Sequence, residues 1–161
     1  MMKKIPLTQN KVALVDDADY ERLNKHKWYA LKVGNTFYAA RMSSRVGGKQ
    51  SLILMHREIL GLKFGDTRQG DHRNHNGLAN WRDNLRTCTN TQNHYNKRPQ
   101  IGCSSEYKGV SWHKPSNKWQ SRIGVDGKYK HLGLFTSEIE AAKVYDKAAR
   151  NLHEQFAYTN Y

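Results

Sequence analysis

Residues Gly70–Lys97 read GDHRNHNGLANWRDNLRTCTNTQNHYNK and hold three histidines and seven asparagines with few apolar side chains between them. So polar a stretch fits a metal site, a nucleic-acid surface or a solvated loop, and the order of its residues separates the three. Asp71 and His72 are adjacent, Asn84 follows His72 by twelve positions, and Asn93 follows it by twenty-one. Asp71 and His72 are placed to end one strand, and LRTCT from Leu85 suits the returning strand. Thr89 and Gln92 have the T-x-x-Q spacing of a capping box, which predicts a helix from about Asn90 with Asn93 in its first turn.

The segment DHRNHNGLANWRDNLRTCTNTQN, with its framing N-x-R-x-x-N-L-R from Asn80 to Arg86, resembles the HNH family of nucleases in the variant that ends in asparagine. The resemblance covers roughly residues 52–98. It implies a ββα-metal fold in which Asn84 either holds the loop or orients the His72 ring.

Elementary chemistry assigns the same roles. Hydrolysis of a phosphodiester needs an activated water, an electrophile on the phosphate and stabilisation of the leaving oxygen. An imidazole with an ordinary pKa near ~6.5 is largely unprotonated at neutral pH and can take a proton from water, so His72 is the candidate base. A carboxylate and an amide oxygen are hard ligands for Mg²⁺, or for Mn²⁺, which makes Asp71 and Asn93 the candidate metal ligands. His94 is an alternative to Asn93, and His75 reads as a loop residue. A structural zinc is not expected. His72, His75, Cys88 and His94 do not form the two closely spaced pairs that zinc uses, and the only other cysteine is Cys103.

Upstream, KIPLTQNKVALVDD reads as a strand pair, and Asp17 and Asp19 precede a short helix in YERLNKHKW with acid near its positive end. Gly34-Asn35 and Gly47-Gly48 mark turns between further strands. HREILGL suits one or two helical turns stopping at Gly61. Within it, His56 and Arg57 match an HR pair found in family members, and Arg57 either supports the scaffold or contacts phosphate. Arg86 is a second candidate DNA contact in this half. The domains expected are 1–98 for the nuclease, with a β-rich part over 1–51 and the ββα core over 52–98, then a linker over 99–105 and a second domain over 106–161.

In the last part, YKGVSWHK, KWQSRIGVDGK and YKHLGLF read as a three-stranded antiparallel sheet with a turn at Asp126-Gly127. Ser137 and Glu140 have capping-box spacing for a helix with Ala141, Tyr145, Ala148 and Leu152 on one face, and Asp146 and Arg150 suit an i,i+4 pair. Trp112, Tyr145 and Phe156 read as core. The anchors Y-K-G-V-x-W, KW-x-x-x-I, YKHLGLF, EAA-x-x-YD-x-AA and FAYTNY resemble the ethylene-response-factor (Apetala-type) DNA-binding domain. That resemblance implies a sheet that enters the major groove. Alternation turns Trp119, Ser121, Ile123 and Val125 toward the helix and Gln120, Arg122 and Gly124 outward. Gln120 and Arg122 are the candidate base readers. Lys108, Ser111, His113 and His131 stand where family members commonly carry arginine or tryptophan, and Lys114, Lys118 and Lys130 suit phosphate contacts.

Composition agrees with a polyanion as partner. The 161 residues carry 27 Lys+Arg against 14 Asp+Glu, a net +13, with a mean hydropathy of −0.90. Residues 1–105 hold 18 of those cations against 8 acids, so the stronger charge lies in the first part. The start lacks the apolar region of a signal peptide and no window suits a membrane span, so a cytoplasmic protein of a bacterium or phage-infected cell is expected, neither secreted nor membrane-bound. The whole reads as an α+β, metal-dependent homing-type endonuclease acting on double-stranded DNA, with a monomer favoured. Two rivals are a non-catalytic transcriptional regulator that keeps the HNH fold as scaffold, and a general RNA-binding protein.

Overall fold

A computed structural model describes residues 1–45, 47–100 and 102–161. Val46, in the expected β-rich part, and Ile101, in the expected linker, lie outside the described residues. The chain forms two compact units, Met1–Thr89 and Asn90–Tyr161, and its composition of short sheets and few helices is α+β.

In the first unit, β1 (Met2–Pro6) and β2 (Val12–Asp16) form the expected hairpin, turning through Gln9 and Asn10 at positive φ. Helix α1 (Asp17–Asn24) follows, with Asp17 and Asp19 in its first turn. Strands β3 (Tyr29–Val33), β4 (Thr36–Met42) and β5 (Leu52–Leu54) make an antiparallel sheet, and α2 (Met55–Ile59) ends before Gly61, whose φ of +68° suits a residue without a Cβ. Strand β6 (Gln69–His72) pairs antiparallel with β8 (Leu85–Cys88). Between them, the two-residue β7 (Ala79–Asn80) joins β2 in parallel, and a 3₁₀ turn spans Arg82–Asn84.

One core holds these pieces. Ile5, Val15, Leu23, Trp28, Met55, Ile59 and Leu85 are packed together and buried, each large side chain contributing roughly 1.5–3 kcal/mol. Because Met55 and Ile59 belong to α2 and Leu85 to β8, the hairpin bearing Asp71 and His72 is anchored to the main core. The polar stretch is tied down separately. Asp19 is 2% exposed and accepts from Arg22 at 2.8 Å and from Arg82 at 2.8 Å. Burial alone would raise its pKa, but the two guanidiniums outweigh that and lower it.

The second unit opens with α3 (Asn90–Asn96), then carries β9 (Val110–His113), β10 (Lys118–Val125) and β11 (Lys128–Phe135) as an antiparallel sheet. Helix α4 (Glu138–His153) crosses it, with Ser137 Oγ accepting from Glu140 N at 3.4 Å as its cap. The expected alternation holds: Ser121 and Ile123 are buried, Trp119 and Val125 pack against the core, and Arg122 is exposed. Gly109, at φ +77°, is required by close approach, since a Cβ there would lie 2.0 Å from the Tyr145 ring.

Three details differ from expectation. The helix buries Ala141, Ala142, Tyr145, Ala149 and His153, while Leu152 is 41% exposed, because the stripe is turned toward His153. Asp146 does not face Arg150. Its carboxylate accepts from Asn160 N, Asn160 Nδ2 and Tyr161 N at 2.9–3.0 Å, so it fastens the C-terminal segment. Trp112 is 37% exposed and stacks edge-on against Trp119 at the rim of the core. No helix among the described residues is long and apolar enough to cross a membrane.

Candidate functional site

The β6–β8 hairpin sets Asp71 opposite Arg86 and His72 opposite Leu85. Both Asp71 and His72 are buried, at 6% and 5% exposure. Burying a carboxylate is costly unless it is paired. Arg86, 8% exposed, supplies the pair: its Nε and Nη2 each lie 2.7 Å from Asp71 Oδ2. Arg86, expected as a DNA contact, is therefore a buried partner of the candidate metal ligand.

His72 is fixed by a residue to which spacing alone gave no role. Asn80 is fully buried, and its Nδ2 donates to Gly77 O at 3.4 Å, which orients the amide with Oδ1 toward the imidazole. His72 Nε2 lies 3.2 Å from that oxygen. An amide oxygen only accepts, so Nε2 carries the ring proton and Nδ1 the lone pair. Burial lowers the His72 pKa against the raising influence of Asn80 and Asp71, so the ring is neutral at pH 7.

Two further rings pack on this imidazole. His56 of α2 meets it edge-on with centroids 4.8 Å apart, and Tyr38 of β4 lies 5.9 Å away. His56 is 5% exposed, its Nδ1 has no hydrogen-bond partner among the described residues, and burial, then the neighbouring His72 and Arg57, push its pKa down to about 3. Room for this packing comes from Gly70, where a Cβ would fall 2.5 Å from His56 Cδ2.

Asn84 is hydrogen-bonded within the loop that follows β6. Its Nδ2 donates to Ala79 O at 2.7 Å and to Asn74 Oδ1 at 3.0 Å, while its Oδ1 accepts from Asn74 N at 3.1 Å. It holds the loop, and Asn80 rather than Asn84 meets the His72 ring. His75 sits in that loop at φ +61°. Arg57 donates to the carbonyls of Lys63, Asp66 and Arg68, which is scaffold support. Asn80 stood inside the N-x-R-x-x-N-L-R framing, which was the available signal. The contribution of His56 rests on a tertiary contact that has no local signature.

Asn93 and His94 are both on α3, in the second unit, with Asn93 half-buried and His94 exposed. Among the described residues, no three or more His, Cys, Asp or Glu side chains stand together as a metal cluster. On the sheet's outer face, Gln120 Nε2 is 3.2 Å from His131 Nδ1, and Arg122 lies over the Tyr129 ring at 4.9 Å. Ser111 is opposite Gln120 in the register, His113 Nδ1 is 2.7 Å from Ser116 Oγ, and Lys114, Lys118 and Lys130 are exposed. Lys108 is placed differently, with its Nζ donating to the carbonyls of His94, Tyr95 and Lys97.

No family model matches the chain. Over 93 residues it is 36% identical to the APETALA2-like protein 2 of Oryza sativa subsp. indica, a match covering 52% of this chain and 21% of the plant protein. Over 60 residues it is 42% identical to the AP2-like ethylene-responsive transcription factor PLT2 of Arabidopsis thaliana, 36% of this chain and 11% of that one. The chain thus spans about a fifth or less of these plant relatives. An uncharacterized HNH endonuclease of Acanthamoeba polyphaga mimivirus is 30% identical over 138 residues, 86% of this chain and 68% of the viral protein. A match that runs through most of both chains places this protein in the HNH endonuclease family to which the viral protein is assigned.

Proposed function

We propose that the protein is a metal-dependent DNA endonuclease whose C-terminal sheet binds the duplex. The observation that carries this reading is the buried Asp71-His72 pair with the His72 ring held in one tautomer by Asn80. His72 Nδ1 would take a proton from water as the water oxygen attacks phosphorus. The bond from phosphorus to the 3′-oxygen breaks and that oxygen takes a proton from solvent water, leaving a 5′-phosphate and a 3′-hydroxyl. Neutral at pH 7, the imidazole needs no prior deprotonation to act.

The donor set fits a hard divalent cation. One carboxylate and one amide suit Mg²⁺ or Mn²⁺, which commonly keep waters and take substrate phosphate oxygens as remaining ligands. Asp71 in the first unit and Asn93 in the second are each a proposed ligand, and a bound cation would stabilise charge on the phosphate and the leaving oxygen. Arg86, with both nitrogens on Asp71 Oδ2, would steady the carboxylate.

Double-stranded DNA is the proposed partner, on the strength of the +13 charge and the plant relatives' names. Gln120 and Arg122 would read bases, with Lys118 and Lys130 on phosphates. A second reading, DNA binding without cleavage, is favoured by one feature, the neutralisation of Asp71 by Arg86. Supercoiled plasmid with Mg²⁺ separates the two: the endonuclease nicks it and His72→Ala does not. A protein that shifts DNA in a gel and never nicks it is a binding protein.

A further inference from the structure

Among the described residues, Phe64 is 92% exposed, and of the large apolar side chains only that of the terminal Met1 is barer. Single exposed apolar residues are common, so exposure alone points nowhere. The loop beneath this ring is more telling. Phe64 is the second residue of a tight turn over residues 63–66, closed by Asp66 N donating to Lys63 O at 3.2 Å. Gly65, in the third position, has φ +84°, where such a turn favours glycine. Leu62, 7% exposed, plants the turn in the first unit, and its N donates to Arg57 O at 2.8 Å. Arg57 Nη1 donates to Arg68 O at 2.9 Å, and its Nη2 to Lys63 O and Asp66 O at 3.2 Å each. The Asp66 carboxylate accepts from Arg68 N, Nε and Nη2 at 2.7–3.1 Å. A turn so bonded holds its ring in one place, and little order remains to be imposed on binding.

Charge says what the ring could meet. Residues 1–89 carry 16 Lys+Arg against 8 Asp+Glu, a net +8. The groove beside Phe64 has Arg41, Arg57 and Lys63 in its walls. Its two carboxylates are already taken, Glu58 by Arg22 and Arg41 and Asp66 by Arg68. Lys63, next to the ring, is exposed and has no ion pair among the described residues. A fixed apolar ring beside a cation, on a positive surface, suits a polyanion that also offers flat apolar faces, which is the stacked duplex. The same helix serves the candidate base. Arg57, which grips the turn, follows His56 in α2, and the His56 ring packs on His72 with centroids 4.8 Å apart. From Arg68 the chain runs straight into β6, which ends at His72.

We infer that Phe64 is a wedge that enters double-stranded DNA between two stacked bases, with Lys63 on the adjoining phosphate. Unstacking one step kinks the duplex, and flexible pyrimidine–purine steps yield most readily, so the wedge selects a step that no side chain hydrogen-bonds. Because α2 fixes both Phe64 and His72, the unstacked step and the cut are held at one spacing. The inference rests on the reading of DNA as the partner.

Full-length Phe64→Ala and Phe64→Leu variants test this on duplexes that the parent selects from random sequence in EDTA, with 2-aminopurine, which brightens when unstacked, at successive positions. The parent should raise the fluorescence at one step. Phe64→Ala should abolish that rise and bind about tenfold more weakly, with an unchanged urea midpoint. Phe64→Leu, still an apolar wedge, should keep most of the rise and of the affinity. With Mg²⁺ added, the nick should fall at the same offset from the bright step in every selected duplex. A parent that binds and brightens no step, or a Phe64→Ala variant that matches the parent in rise and affinity, overturns the wedge alone. A nick whose offset varies between duplexes, or a lowered urea midpoint in Phe64→Ala, which would place the ring in the fold, overturns it too. So does self-association of the parent in sedimentation that Phe64→Ala abolishes without loss of DNA affinity, since the ring then docks on a second copy. A parent that binds no duplex removes the DNA reading and the wedge together. A parent that brightens one step and never nicks removes the endonuclease reading and leaves the wedge standing.

Discussion

His72 Nε2 lies 3.2 Å from Oδ1 of Asn80, and that oxygen is aimed at the ring because the same amide donates to Gly77. The consequence is a fixed tautomer with Nδ1 as the basic nitrogen. Asn80→Leu keeps the volume and removes the acceptor. It should slow nicking by about 10- to 100-fold and cost about 1–3 kcal/mol of stability through loss of the buried His72–Asn80 hydrogen bond. Nicking rates and urea unfolding check both, and a variant that nicks at the parent rate would show that Asn80 does not set the base.

Arg86 and Asp71 form a buried ion pair, and removing one partner strips the other charge of that compensation. Arg86→Met should destabilise the first unit by about 3–5 kcal/mol. Asp71→Asn in the same chain should recover a large part of that loss, because no charge then remains buried. A double-mutant cycle in urea measures the coupling. Additive losses would mean that the pair is not the source of the cost.

Acid should weaken the fold through its buried imidazoles. His56 and His72 both have folded pKa values below the ordinary 6.5, His56 at about 3. The unfolded chain takes up protons below 6.5 that the folded chain refuses, so stability is full above that pH and declines as the pH falls toward 3. One such group costs about 1.4 kcal/mol per pH unit within that window. Urea titrations at pH 7.5, 6, 5 and 4 follow it, and His56→Phe should flatten the slope. An identical slope in that variant would assign the effect elsewhere.

On the sheet, Arg122 and the two exposed lysines should behave differently. Arg122→Ala should lose about 1–3 kcal/mol of discrimination for a duplex selected from random sequence. Lys118→Ala and Lys130→Ala should weaken all duplexes alike and each lower the salt slope by about one. Fluorescence anisotropy at several salt concentrations distinguishes the two patterns. Equal losses on selected and random DNA for Arg122→Ala would remove it as a base reader.

Much of this architecture was legible because its signals are local. Alternation gave the strands on either side of Asp126-Gly127, and Ser137 with Glu140 marked the start of α4. The adjacency of Asp71 and His72 and the interval to Asn84 picked out the hairpin. What stayed hidden depends on contacts distant in sequence. Nothing near Arg86 says that a carboxylate fifteen residues away will sit opposite it. Nothing near His56 says that its ring will pack on His72. Nothing near Tyr95 says that Lys108 and His153, thirteen and fifty-eight residues on, will meet it.

The proposed chemistry turns on the His72 imidazole activating water on DNA. Its most direct measurement is nicking of supercoiled plasmid by the pure protein with Mg²⁺, alongside His72→Ala and gel-shift controls on the same preparations. The parent should convert the plasmid to open circles, His72→Ala should lose at least about a hundredfold in rate, and both should bind DNA equally. Nicking by His72→Ala at the parent rate, or a parent that binds and never nicks, would contradict it.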